Sequence, residues 1–220
     1  MENRQRLGLI NESAMNSSDN HIAIGQFWSW FEKHKAEIGL LIETSDPLWD
    51  RVLSKLQIIN KGLWFEMSRP DGNDREFIIT AESRTELFKL VETIASQAPE
   101  LAGWQFVALK PPRGFAFKTN YEGISLNPKS MLFLPLEWSD APEKVGLRIG
   151  VENFSESDRD SITNGVFVIL ETGLGERTFG ADVHHVEVCL LPQESEAEGY
   201  FPLSNLTEYI SWRKQKLELN

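Results

Sequence analysis

The segment Asp182–Cys189 holds the densest set of side chains with chemical potential: two adjacent histidines, His184 and His185, followed by Glu187 and Cys189. Imidazole, carboxylate and thiolate groups are all zinc ligands, and a histidine can also serve as a general base. Alternation along a strand would place His185, Glu187 and Cys189 on one face and His184 on the other. One hypothesis is therefore a metal or hydrolytic site at His184, His185 and Glu187, completed by groups from another element.

Carboxylates are also dense just before the histidine pair. Glu171, Glu176, Asp182 and Glu187 could supply paired acid and base groups if the chain folds back on itself, although such density is expected in a protein with 33 Asp and Glu. The glycines of Gly173–Gly180 match no phosphate-binding spacing. They predict a helix C-cap followed by a turn, where glycine supplies a positive φ.

A basic and aromatic segment contrasts with the acidic remainder of the chain. Residues 101–121 contain no Asp or Glu, and their centre is the rigid turn at residues 110–114, which could present cations beside aromatic rings to an anionic or peptide ligand. In the alternative interpretation the rings pack inward and the cations pair with acidic neighbours across the sheet. The candidate ligand-binding residues are Lys110, Arg113, Phe115, Lys118 and Tyr121, together with the more exposed tryptophan of the first helix, Trp30.

Three helices are predicted at the two ends of the chain. Apolar residues at helical spacing run from Ile24 to a helix end near Glu43, and a second helix follows, capped by Asp46 with Pro47 in its first turn. A C-terminal helix begins near Ser204. Residues 1–21 are polar without a sustained period, which predicts a flexible tail.

The middle of the chain predicts strands and one further helix. Alternation predicts a hairpin of residues 63–69 and 75–81, and Ser83 with Glu86 has the spacing of a capping box for a helix that stops before Pro99. Residues 155–170 suit either a helix or a strand. Further strands are predicted at residues 104–110, 114–121, 131–138, 144–151 and 183–191.

This order of elements predicts an α+β fold with a largely antiparallel sheet covered by helices, two of them N-terminal and one C-terminal. Residues 22–220 are predicted to form a single domain, with two small α+β halves meeting near residue 125 as the alternative.

Composition and charge narrow the classes of function. The 22 Lys and Arg against 33 Asp and Glu give a formal charge of −11, which disfavours nucleic acid as a ligand and favours a basic partner. The longest apolar run has five residues, so no membrane span is predicted. A single cysteine without a secretory leader predicts a cytoplasmic protein.

Six short motifs lie at residues 62–66, 103–104, 110–112, 174–176, 182–188 and 209–214. Together they resemble a family of uncharacterised bacterial proteins, over about residues 24–215. The resemblance implies a cytosolic single-domain protein of a kind associated with toxin immunity or accessory roles, and it supplies no catalytic residue.

Two functions follow as hypotheses. The first is a non-catalytic interaction or immunity-like accessory module that binds a protein partner, a basic one by charge, without a cofactor. The alternative is a metal-dependent or histidine-based hydrolase centred on His184, His185 and Glu187.

Overall fold

The computed structural model describes residues 17–70, 72, 74–137 and 141–218. Within them the chain forms six α-helices and three mostly antiparallel sheets, which confirms the α+β class with two N-terminal helices and one C-terminal helix. The chain divides between Lys61 and Gly62 into two compact units, each described by itself below. The single domain and the alternative boundary near residue 125 stay predictions.

The first unit contains two helices, α1 (Ser17–Ile38) and α2 (Pro47–Gln57). Of the predicted tail, residues 1–16 lie outside the described residues and residues 17–21 begin α1. This helix ends at Ile38, before the predicted Glu43, because Leu40 N and Leu41 N bond to carbonyls three residues back and tighten the turn. In α2 the Asp46 carboxylate accepts a hydrogen bond from Leu48 N at 2.8 Å, which confirms the predicted cap.

The second unit opens with a sheet of three strands, which lie in the order β1 (Trp64–Met67), β2 (Arg75–Thr80) and β3 (Trp104–Ala108). The hairpin is confirmed, with Phe65 opposite Ile79 and Met67 opposite Phe77. The third strand lies parallel to the second, and the helix α3 (Phe88–Ser96) makes the crossover that a parallel pair requires.

The capping box predicted for α3 is wrong. Residues 85–87 form a 3-10 turn, and α3 begins at Phe88 without a side-chain cap. Ser83 has a φ of 62°, and its hydroxyl donates to Glu171, 88 residues along the chain. The partner of the Ser83 hydroxyl is therefore a carboxylate distant in sequence and not a nearby backbone N–H group.

The remaining elements are β4 (Thr119–Tyr121), β5 (Ile124–Leu126), β6 (Leu132–Leu136), β7 (Val145–Val151), α4 (Arg159–Leu174), α5 (Glu176–Asp182), β8 (Val183–Leu190), β9 (Phe201–Pro202) and α6 (Leu206–Glu218). A second sheet has the order β8-β7-β6-β9, and β4 and β5 form a separate two-stranded hairpin. As in the first sheet, two antiparallel strands (β6 and β7) are followed by helices that lead into a strand (β8) parallel to the second of them.

The predicted strands therefore occupy three sheets in the described part of the chain rather than one. The break occurs after β3, where Leu109 has a φ of 62° and two prolines follow. Arg113 N and Gly114 N then donate to Thr172 O and Gly173 O at the end of α4. Because this backbone bonds to a helix, the strand predicted at residues 114–121 is reduced to β4.

The ambiguous segment 155–170 is helical from Arg159 onward. Burial overrides the β-branched composition, because Ile162, Val166, Ile169 and Leu170 recur on one helical stripe and are almost completely buried. They share a core with the inward side chains of β6 and β7, such as Phe133. Nowhere in residues 17–218 as described is a helix long and apolar enough to cross a membrane.

Candidate functional site

The ammonium group of Lys110 lies among three carboxylates. Its Nζ atom is 2.7 Å from Glu171 Oε2, 3.0 Å from Glu82 Oε1 and 3.1 Å from Glu66 Oε1. The side chains of Lys110 and Glu171 are only 14% and 16% exposed, whereas those of Glu66 and Glu82 are 53% and 49% exposed. We call these four residues the carboxylate cluster; it has a buried ion pair at its base and two carboxylates at its rim.

The first sheet places most of this cluster. Glu66 lies on β1 opposite Ile78, on the face of the hairpin away from Phe65. Glu82 and Lys110 are the second residues after β2 and β3, and these two strands are parallel. The carboxyl ends of parallel strands meet at one edge of a sheet, which is where ligand sites of such sheets form. Glu171, near the end of α4, supplies the third carboxylate of the cluster at this edge.

Glu176, the first residue of α5, binds the loops that carry the cluster. Its carboxylate is completely buried, and it accepts hydrogen bonds from Ala81 N, Ser83 N and Lys110 N at 2.8, 3.1 and 3.0 Å. Glu176 N also donates to Lys110 O at 2.9 Å. One buried side chain therefore holds the segments that follow β2 and β3 against α5.

The backbone beneath the cluster is strained. Glu82, Ser83 and Leu109 have φ values of 52°, 62° and 62°, in the left-handed region that residues with a side chain rarely adopt. Such conformations cost about 1–3 kcal/mol each and persist where the surroundings hold them, most often at functional sites. Three of them beside one cluster indicate that the positions of Glu82 and Lys110 are specified by the fold.

Opposing effects act on the protonation of Lys110. Burial lowers the pKa of its ammonium group, but the hydrogen bond and charge of Glu171, the charge of Glu66 and the hydrogen bond to Glu82 outweigh burial and raise the pKa above its usual value. Lys110 consequently stays protonated at neutral pH. A permanently protonated lysine is neither a general base nor a nucleophile.

The cluster lines a cavity of about 220 Å³ with apolar and basic walls. Arg113 is at this cavity too, but its guanidinium donates to Glu76 Oε2 at 2.6 Å. The four carboxylates and two cations have a net formal charge of −2. The remaining lining residues are Ile78, Pro111, Val168 and Thr172.

The structure brings together only two of the six predicted ligand-binding residues, Lys110 and Arg113, and both are paired with carboxylates as the alternative interpretation expected. Phe115 is buried in the core, and Tyr121 packs against that core. Lys118 is exposed on the chain leading to β4. Trp30 lies in the first unit, where it stacks on His34 with the ring centroids 4.6 Å apart.

The histidine pair lies at a different cavity, of about 490 Å³, which we call the aromatic groove. Val145 pairs with Val183 and Gly146 with His185, so a bulge interrupts the register at His184. As a result both histidines line the groove, in contrast to the strict alternation expected along β8. The other lining residues are Ser83, Phe167, Phe179, Gly180, Val183 and Val186.

Glu187 does not complete a metal site with the histidines. Its Oε2 accepts from Arg148 Nε at 2.8 Å, and this hydrogen bond holds the pKa of Glu187 below its usual value. His185 Nε2 is 3.5 Å from the other carboxylate oxygen. Among the described residues no group of three or more His, Cys, Asp or Glu is arranged to hold a metal ion.

The four carboxylates around the glycine-rich segment do not converge on one site. Glu171 and Glu176 join the cluster and its support, whereas Asp182 pairs with Lys214 and Glu187 with Arg148. The sequence did not indicate Glu66 or Glu82 as site residues, and it indicated Ser83 only as a helix cap. The signals that could have identified them were a charged residue inside an apolar strand, Glu66, and polar residues soon after an apolar strand, Glu82 and Ser83.

Comparison of the chain with models of protein families, with characterised proteins and with solved structures gives no match. Function is therefore inferred from the geometry of the cluster and the groove.

Proposed function

We propose that this protein is a non-catalytic interaction module that binds a basic protein partner through the carboxylate cluster. The observation that carries the proposal is that three carboxylates surround one ammonium group, and that two of them, Glu66 and Glu82, are half-exposed at the rim. Each contacts Lys110 through Oε1, so its Oε2 can accept a hydrogen bond from a guest. An arginine guanidinium matches such a pair of carboxylates with its planar set of donors.

The same geometry argues against acid–base catalysis by Glu171, Glu176 and Lys110. Both oxygens of Glu171 have partners, Ser83 Oγ at 2.6 Å and Lys110 Nζ at 2.7 Å. Both oxygens of Glu176 accept backbone N–H groups, and Lys110 stays protonated. A general acid or base must exchange protons with a substrate, and these groups are already committed to the protein.

Long-range electrostatics support the choice of a basic partner. A net charge of −11 attracts a cationic protein before contact and accelerates encounter, while the half-exposed carboxylates supply the short-range contacts. The binding should weaken with salt because exposed charges are screened.

We further propose a cytoplasmic, accessory role of the immunity-like kind, in which the module neutralises or holds its basic partner. The free thiol of Cys189 supports a reducing compartment.

Selection from a random peptide library displayed on phage tests the proposal. We expect the wild-type protein to select peptides rich in Lys and Arg. We expect their affinity, measured by calorimetry on synthetic copies, to fall at least tenfold in the double variant Glu66→Gln, Glu82→Gln. The matched control is Glu100→Gln, Glu208→Gln, which makes the same charge change at exposed positions; Glu100 precedes β3, whose opposite end leads to Lys110.

Retention of full affinity in the rim variant, or selection of peptides without basic residues, would contradict the proposal. Equal losses in the rim variant and the control would show that net charge alone, not the cluster, attracts the peptides.

A further inference from the structure

The aromatic groove adjoins the carboxylate cluster, and Ser83 connects them. Ser83 lines the groove, and its hydroxyl donates to Glu171 of the cluster at 2.6 Å. The two surfaces also share α4, since Phe167 lies in the groove while Val168 and Glu171 line the cavity of the cluster. The two sites therefore form one continuous surface on the second unit.

Large apolar side chains are exposed at this junction. Phe167 and Val168 are 39% and 42% exposed, although both lie in the middle of α4. The ring of Phe167 meets that of Phe179 edge to face, with centroids 5.9 Å apart. This pair forms an aromatic wall along a groove whose other side is the bulged start of β8, and exposed apolar surface rimmed by polar groups is typical of interaction sites.

Charge complementarity identifies the kind of guest. The groove lies beside two half-exposed carboxylates, so an apolar segment that enters it brings its neighbouring residues to Glu66 and Glu82. A guest with a basic residue close to an aromatic one satisfies both surfaces, whereas an acidic neighbour would meet the cluster's excess negative charge.

Helix α4 gives the scale of the distance between the groove and the cluster. Phe167 and Glu171 are four residues apart on the helix, about 6 Å along its axis at about 1.5 Å per residue, and the rim carboxylates of Glu66 and Glu82 contact the same Lys110 ammonium group as Glu171. Side chains on one side of an extended peptide recur every second residue, at about 6.8 Å. A basic residue and an aromatic residue separated by one position therefore match the two contacts.

We propose that the aromatic groove and the carboxylate cluster together bind an extended segment of the partner in which a basic residue and an aromatic residue are separated by one residue. This inference rests on the proposed function and specifies the partner sequence that the module recognises.

Three synthetic peptides test it by titration of the full-length protein, followed by NMR of its backbone amides. The first, acetyl-Gly-Ser-Arg-Ser-Phe-Ser-Gly-amide, has the inferred spacing. The second has the same composition with Arg and Phe adjacent, and the third has Ser in place of Phe. We expect the first to bind about tenfold more tightly than the other two.

Variants of the groove separate this inference from the proposed function. Phe167→Ser should abolish the higher affinity of the first peptide and leave the affinity of the peptide without Phe unchanged. Phe167→Leu should retain most of the higher affinity of the first peptide. Trp212→Ser, which removes an exposed aromatic ring from α6, is the matched control and should change nothing. Thermal unfolding of each variant checks that it is folded.

Equal affinity for the three peptides, with binding still dependent on Glu66 and Glu82, would overturn the inference and leave the proposed function intact. An advantage that survives Phe167→Ser would also overturn it, because the aromatic residue would then bind elsewhere. Self-association of the wild-type protein that is lost in Phe167→Ser would assign the groove to a second copy of the chain instead. Absence of any binding that depends on Glu66 and Glu82 would refute the proposed function itself.

Discussion

Glu176 is hydrogen-bonded to both backbone polar groups of Lys110: its Oε2 accepts from Lys110 N at 3.0 Å and its own N–H donates to Lys110 O at 2.9 Å. The same carboxylate accepts from Ala81 N and Ser83 N. A single buried residue thus holds together the two loops that present Glu82 and Lys110. The placement of the carboxylate cluster depends on this residue, which does not itself line the cavity.

Glu176→Gln should destabilise the protein strongly despite its near-identical size. A carboxylate accepts hydrogen bonds with both oxygens, whereas the amide nitrogen of glutamine would face a backbone N–H donor. Leaving a buried donor unsatisfied while losing a charged acceptor costs about 3 kcal/mol. Urea unfolding measures the loss, with exposed Glu86→Gln as the control. A change of only a few tenths of a kcal/mol would show that the loops are held by other contacts.

Lys110→Met should also reduce stability, because it leaves the buried Glu171 without its cationic partner and removes the ammonium group between Glu66 and Glu82. Removing one member of a buried ion pair costs about 3 kcal/mol. Lys110→Arg retains the charge and should lose less. The control is Lys89→Met, on the exposed face of α3, and chemical unfolding of the four proteins provides the comparison. Equal stability of the Met variant and wild type would mean that the ion pair contributes nothing net.

Gly175→Ala should lower the stability of the fold, because of the backbone conformation of this residue and because of the atoms around it. Gly175 joins α4 to α5 with φ 79° and ψ 152°, a conformation open almost only to glycine, and a Cβ there would lie 2.8 Å from Pro112 N. Such strain costs about 1–3 kcal/mol before the steric contact is counted. Gly25→Ala, within α1 and with open space around the added Cβ, should instead be neutral or stabilising. Thermal unfolding distinguishes the two, and similar unfolding temperatures would contradict the prediction.

Tyr200 should titrate late and make stability sensitive to alkaline pH. Burial, together with its contact to the Cys189 thiol, raises the pKa of the phenol from 10.0 to about 12. Because the folded-state pKa lies above the unfolded value, the stabilisation is complete below pH 10 and is lost as the pH rises towards 12. Ultraviolet titration should show a late step that is present in wild type and absent from Tyr200→Phe. The difference in stability between wild type and this variant should change over the same pH range. A Tyr200 step near pH 10 would contradict the prediction.

The secondary structure could be predicted wherever its cause is local. Asp46 and Pro47 start α2 by themselves, and alternation of Phe65 and Met67 opposite Phe77 and Ile79 specifies the hairpin. Predictions from local sequence failed where a group distant in sequence supplied the hydrogen-bond partner. Ser83 has the spacing of a cap, yet it bonds to Glu171, and the strand expected after Lys110 is shortened because its backbone bonds to the end of α4.

Residue types and their spacing are enough to predict the α+β class, most element positions, the strong acidity and the cation Lys110 in a segment without acidic residues. That Glu66, Lys110 and Glu171 meet, and that His184 and His185 line one groove, depends on how the elements pack. Side-chain periodicity reports which face of an element is buried, but it does not report which other element covers that face. Pairing of β2 with β3 and packing of α4 bring these distant residues to one edge of a sheet.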